Sequence, residues 1–178
     1  MTVQELREKI EKAIHCFIEN EIDLIRQDAH EEAISTHLFT YIKGEFKDFP
    51  WHIDHQYDKR IINNKVVKKR TKFTIDQLPK SKIHKNFTAN ESTLIKAILP
   101  VIIFHDRRSQ KHNFLAIEVK KTTNKAPEDR AFDKLKLEVM TAIDLKYAYG
   151  LFLDLKTGEE FDPDNPFEMN FISDGNWL

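Results

Sequence analysis

The chain has 178 residues, 40% hydrophobic and 32% charged, and its 28 Lys or Arg nearly cancel its 29 Asp or Glu. This length suits one domain with a sizeable core, and the composition excludes a disordered chain. No apolar run is long enough to cross a bilayer, the acidic N-terminus lacks a secretory-signal pattern, and the single cysteine, Cys16, excludes an internal disulfide; the expected compartment is a reducing cytoplasm, with no membrane partner.

The first predicted element is an amphipathic helix from Val3 to about Gln27, with Leu6, Ile10, Ala13, Ile14, Phe17, Ile18 and Ile25 at helical spacing. Cys16 reads as a small core residue of this helix. Asp28 offers an N-cap, with Glu31 three residues on as in a capping box. The second helix carries Ile34, Leu38, Ile42 and Phe46 on one stripe. A short strand follows from Trp51 to Tyr57, and the odd spacing of His52 and His55 puts them on opposite faces, where they do not share an ion. Lys65 to Phe73 is strand-like, polar turns surround Pro79 and Ser81, and 90–97 reads as a short helix or turn.

Two apolar strands come next, Leu99 to His105 and Asn113 to Lys120, hairpin-like and joined by the polar connection Asp106 to His112. Pro127 opens a helix with Phe132, Leu135, Val139, Ala142 and Ile143 as its buried stripe. Tyr147 to Leu155 is a further strand, after which Thr157-Gly158 turns the chain. Pro163 and Pro166 mark the end of the chain as an irregular tail. The order indicates an α/β fold, a mixed central sheet flanked by helices in one domain over 1–178. A helical extension over about 1–27 precedes it, and the tail covers about 163–178.

Charge is segregated along the chain. Ten Lys or Arg and one acid, Asp76, lie between Lys59 and Lys85, whereas the first fifty residues hold eleven acids against six bases. Separated blocks suggest a face that attracts polyanions; a solvated lysine-rich loop is the plainer reading of the same run. Lys65, Lys68, Lys69, Arg70 and Lys72 interleave with Val66, Val67 and Phe73, and Lys85 leads to Phe87, a candidate for base stacking. Arg107 and Arg108 add to the track. Such cations contact phosphates with little sequence preference, giving salt-sensitive binding to nucleic acid, DNA foremost.

The most informative tripeptide is Glu118-Val119-Lys120, at the end of an apolar strand. Strand alternation points Glu118 and Lys120 one way and Val119 the other. A carboxylate and an ammonium side by side can hold a divalent metal and a water nucleophile; as a surface ion pair they are worth little.

Together with the segments EEAISTHLFTYI, WHIDHQYDK, LPVIIFHD, LAIEVKK, FDKLKLEVMTA and YAYGLFLDL, this tripeptide resembles the PD-(D/E)XK nuclease superfamily, the restriction-endonuclease-like fold, over Glu31 to Leu153. The resemblance implies a metal site built from a helix Glu, an Asp opening the second core strand, and the Glu of the ExK strand. Carried over, the catalytic residues are Glu31, Glu118 and Lys120. The ligands of Mg2+ or Mn2+ are Glu31, Glu118 and the backbone carbonyl of Val119. The Asp position is departed, because Pro100 is followed by Val101, and Gln56 and His37 stand where relatives favour Glu and Arg. Val101 cannot ligate metal, and His105 lies about 13 Å further along the strand, too far to replace it. Asp54 is the candidate to restore a carboxylate.

Three readings compete, the last being a small interaction protein whose ExK strand is coincidental and which has no affinity for nucleic acid; the other two follow from the resemblance. One is metal-dependent phosphodiester hydrolysis of nucleic acid, weakened or lost through Val101. The other is a catalytically inactive nuclease fold that binds nucleic acid or a protein partner. The resemblance also admits a homodimer.

Overall fold

The computed structural model describes residues 1–62, 65–83, 92–109, 111–142 and 145–178. Helix α1 (Val3–Asn20) starts where Glu5 N–H donates to the Thr2 hydroxyl at 3.2 Å and the Glu5 carboxylate accepts from Thr2 N–H at 2.7 Å. This capping box satisfies two donors that a helix start leaves unpaired. The helix ends at Glu21, and a separate short helix α2 (Ile22–Arg26) turns the chain. Helix α3 (Glu31–Glu45) buries Ile34, Leu38 and Ile42, with Phe46 just beyond its end. Its N-cap is His30 and not Asp28. Asp28 has φ +52 and its carboxylate instead accepts from Lys121, Thr123 and Thr157 at 2.6–2.8 Å. Burial alone would raise its pKa; these hydrogen bonds outweigh that and hold it at about 2.

The chain then forms β1 (His52–His55), β2 (Lys59–Ile62), β3 (Lys65–Lys68), β4 (Arg70–Thr74), β5 (Thr93–Ala97), β6 (Ile102–His105) and β7 (Leu115–Lys121). Helix α4 (Pro127–Ala142) leads to β8 (Tyr149–Leu155), β9 (Phe167–Ser173) and β10 (Asn176–Trp177). The central sheet has the order β1-β6-β7-β8-β9-β10. It is mixed: β7 and β8 run parallel, as their connection through α4 requires, and the other neighbours are antiparallel. Strand alternation divides the core. Ile117, Val119, Leu151 and Leu153 join the cluster beneath α1 and α3, while Ala116, Phe152 and Ile172 join the α4 side. The N-terminal helix is thus part of the core and not an extension, with Leu6, Ile10, Ile14 and Phe17 fully buried.

Five further expectations need correction. The stretch Lys65 to Phe73 is two strands in two separate hairpins, β2–β3 and β4–β5, because Lys69 breaks the ladder to bond Asp58 and Ile98. The stretch read as helix or turn contains β5. The proline-marked tail carries β9 and β10, joined by Asp174-Gly175 with both φ positive, the geometry of a two-residue hairpin turn. Cys16 and Ala142 are exposed; α4 buries Leu137 and Met140 besides Leu135 and Val139. Ile143, Lys85 and Phe87 lie outside the described residues.

Candidate functional site

Strand β7 runs through the middle of the sheet and turns Glu118 and Lys120 toward α4 while Val119 enters the opposite core. Two side chains one helical turn apart on α4, Asp133 and Lys136, meet them. The α3 N-terminus delivers Glu31 to the same place. Lys120 Nζ lies 2.8 Å from Glu31 and 2.9 Å from Asp133. Lys136 Nζ lies 2.6 Å from Asp133 and 2.9 Å from Glu118. The contact to Glu118 is an ion pair without hydrogen-bond geometry, since that carboxylate oxygen has no hydrogen-bond partner. The result is a chain of alternating charge, Glu31–Lys120–Asp133–Lys136–Glu118.

Glu31, Glu118 and Lys120 therefore come together, but Glu118 joins the other two only through Asp133 and Lys136. The sequence pattern assigns no function to those two α4 residues. Their signal is an i,i+3 acid–base pair on the helix that follows an ExK strand.

Glu118 is 2% exposed. Burial pushes its carboxyl up to about 7, helped by Asp133 and opposed by Lys136. Burial alone would lower Lys120, but Glu31 and Asp133 outweigh it and keep its ammonium protonated well above the usual range. A lysine so held is a fixed charge and not a proton-transfer base near neutral pH.

This donor set does not fit a resident Mg2+ or Mn2+. These ions need convergent carboxylate oxygens with space for water. Here each carboxylate faces an ammonium, and among the described residues no three His, Cys, Asp or Glu side chains are grouped to hold a metal. Val101 packs against the core beneath α1 and α3, and its carbonyl accepts from Gln56 N–H at 2.9 Å.

Asp54 does not restore a carboxylate beside Glu118. The register Asp54↔Ile103↔Ala116 puts two strand spacings between them, roughly 12 Å between the Cα atoms of Asp54 and Glu118. Asp54 instead receives both Nε and a terminal nitrogen of Arg107, and His105 Nε2 at 2.8 Å. These bonds outweigh its burial and hold the carboxyl far below the usual range. An ionised carboxylate only accepts, so His105 Nε2 is the donor. His52 and His55 do lie on opposite faces: His55 meets Ser35 and Phe39, and His52 faces His105.

The basic track divides. Lys65, Lys68, Arg70, Lys72 and Arg108 are exposed. Lys69 is 2% exposed and so stands apart from this outer track, and Arg107 is committed to Asp54. Among the described residues no helix is long and apolar enough to cross a membrane.

No protein-family model, curated protein or solved structure matches this chain. The class that the fold defines is a mixed α/β protein with a six-stranded central sheet flanked by helices.

Proposed function

We propose that the protein is a nucleic-acid-binding member of the restriction-endonuclease-like fold in which lysines occupy the acidic centre. The observation that carries this reading is the two-faced β4–β5 hairpin. Its inner residues, Thr71 and Phe73, are buried, with Phe73 against Phe132 of α4 at 5.5 Å. Its outer residues are Arg70 and Lys72, opposite Ala97 and Ile95. Ile95 is 64% exposed and Val66 on the neighbouring hairpin 69%. A two-stranded ribbon with cations and a few apolar side chains outward fits the major groove of B-form DNA, whereas the major groove of A-form RNA is too deep and narrow to be read by side chains.

The test is binding of a fluorescently labelled DNA duplex across a salt series. Wild type should bind with affinity that falls linearly in log–log salt. Lys68→Glu/Arg70→Glu should bind at least tenfold more weakly, with the slope reduced by about two. Absence of binding at low salt, or an unchanged slope, rejects the reading.

A second reading, a metal-dependent nuclease, is supported by the meeting of Glu31, Glu118 and Lys120 around Asp133. It requires Lys136 to leave Glu118. Cleavage of the same duplex with Mn2+ or Mg2+, abolished in Glu118→Gln, would favour it.

A further inference from the structure

A second polar centre, lined by β2 and by Lys69 between β3 and β4, is separate from the β4–β5 face that carries the reading above. A small recess is lined by Lys59, Arg60, Lys69, His105, Asp106 and Arg107 among others, and has room for about one water-sized atom. Most of these charges are already answered. Lys59 pairs with Asp58 at 3.1 Å, and Arg107 chelates Asp54. Asp106 accepts the Arg108 backbone N–H at 2.9 Å, which satisfies one carboxylate oxygen without supplying a countercharge. Burial lowers His105, which favours the neutral ring.

Arg60 and Lys69 are left over. Arg60 Nε is buried and has no hydrogen-bond partner. Lys69 Nζ makes one hydrogen bond, to the Tyr57 carbonyl at 3.1 Å, and lies 4.8 Å from the Tyr57 ring centroid. Tyr57 and its ring give that ammonium no countercharge, and no carboxylate lies within ion-pair distance of it among the described residues. Two cationic donors on one recess, one fully buried and one with an unmet N–H, are costly unless an acceptor completes them. Burial, reinforced by Arg60, already drives Lys69 down to about 7, despite the opposing pull of Asp54 and Asp58.

We infer that this recess is an oxyanion site that takes one oxygen of a phosphoryl group, with Arg60 Nε–H and the Lys69 ammonium as its donors. The phosphoryl group comes from a nucleic-acid backbone or from free phosphate. Arg60 brings a permanent positive charge to the recess, which has no room for a large organic anion to enter whole.

Calorimetric titration of the full chain with inorganic phosphate, at constant ionic strength, tests the site. Wild type should bind saturably, and both Arg60→Gln and Lys69→Met should bind at least tenfold more weakly with unchanged circular dichroism. If the source is nucleic acid, phosphate also competes with the labelled duplex, and Arg60→Gln lowers the log–log salt slope by about one. If the source is free phosphate, the duplex affinity and slope stay as they are while phosphate binding is lost. Wild type that fails to bind phosphate overturns the inference whatever the variants do. So does phosphate binding that survives in Arg60→Gln. Duplex binding with no phosphate binding removes this site and leaves the proposed function standing; phosphate binding with no duplex binding does the reverse.

Discussion

Glu118 shows how one buried side chain sets a pH response. Its carboxyl is raised from an ordinary value near 4.5 to about 7 because β7 and α4 withdraw it from water. Between those values the native state holds a proton that the unfolded state has lost, so this residue's contribution to stability declines as pH rises through the window. His55 and His105, both lowered by burial, act in the opposite sense, since the unfolded chain then binds the extra proton. Asp28 and Asp54, both lowered, contribute above the ordinary aspartate range and fail only in stronger acid. The contrast between wild type and Glu118→Gln isolates Glu118, because the amide mimics the protonated acid and cannot ionise. Urea midpoints at pH 5 and 7.5 should show the variant gaining on wild type at the higher pH, by roughly 2 kcal/mol. Parallel profiles for the two proteins would mean that Lys136 keeps Glu118 ionised throughout.

At the scale of elements, the sheet's outer half depends on close approach at one glycine. Gly150 of β8 stands opposite Ile172 of β9, with Leu137 of α4 above. A methyl group there would lie 2.5 Å from Ile172 Cγ2 and 3.3 Å from Leu137 Cβ. Both neighbours are fully buried, so neither can swing into solvent. Gly150→Ala should therefore destabilise by about 1–3 kcal/mol, the cost of overpacking a filled core. Thermal unfolding should read a fall of several degrees, at about 2–4 °C per kcal/mol for a chain of this length. An unchanged melting temperature would show that β9 can shift away from α4. This strand is also the least legible element in the sequence. Pro163 and Pro166 suggested irregular chain, yet they only precede the strand, where a missing N–H costs the ladder nothing. Asp174-Gly175 was the available signal for the closing hairpin. The apolar stripe of α3 and the pairing of β6 with β7 were legible, since each follows from a local period. The switch of partners at Lys69 was not. It depends on which strands meet across long loops, and a lysine-rich run gives no period to announce it.

The whole molecule combines three long-range placements. The order β6-β7-β8 centres the ExK strand, the crossover lays α4 over it, and α3 brings Glu31 to its end. What arrives at that meeting point is the difference between a metal centre and an internal salt-bridge network. Three carboxylates enter one network, but two lysines stand between them, and Lys136 comes from an element whose contribution only the tertiary fold reveals. A buried network of this kind is costly to break one partner at a time, because each ammonium removed leaves an uncompensated carboxylate. A divalent ion must therefore compete with protein cations already in place. Global stability is a direct readout of that competition, since a ligand that binds only the folded state stabilises it by RT ln(1 + [L]/Kd). An available site filled at tenfold its Kd would gain about 1.4 kcal/mol, or roughly 3–6 °C in melting temperature. Wild type titrated with Mn2+ at constant ionic strength should show no such rise, because the lysines hold the carboxylates that the ion needs. A saturable rise in wild type that disappears in Glu118→Gln would show that Lys136 yields to metal, and would move the balance from the binding protein to the nuclease.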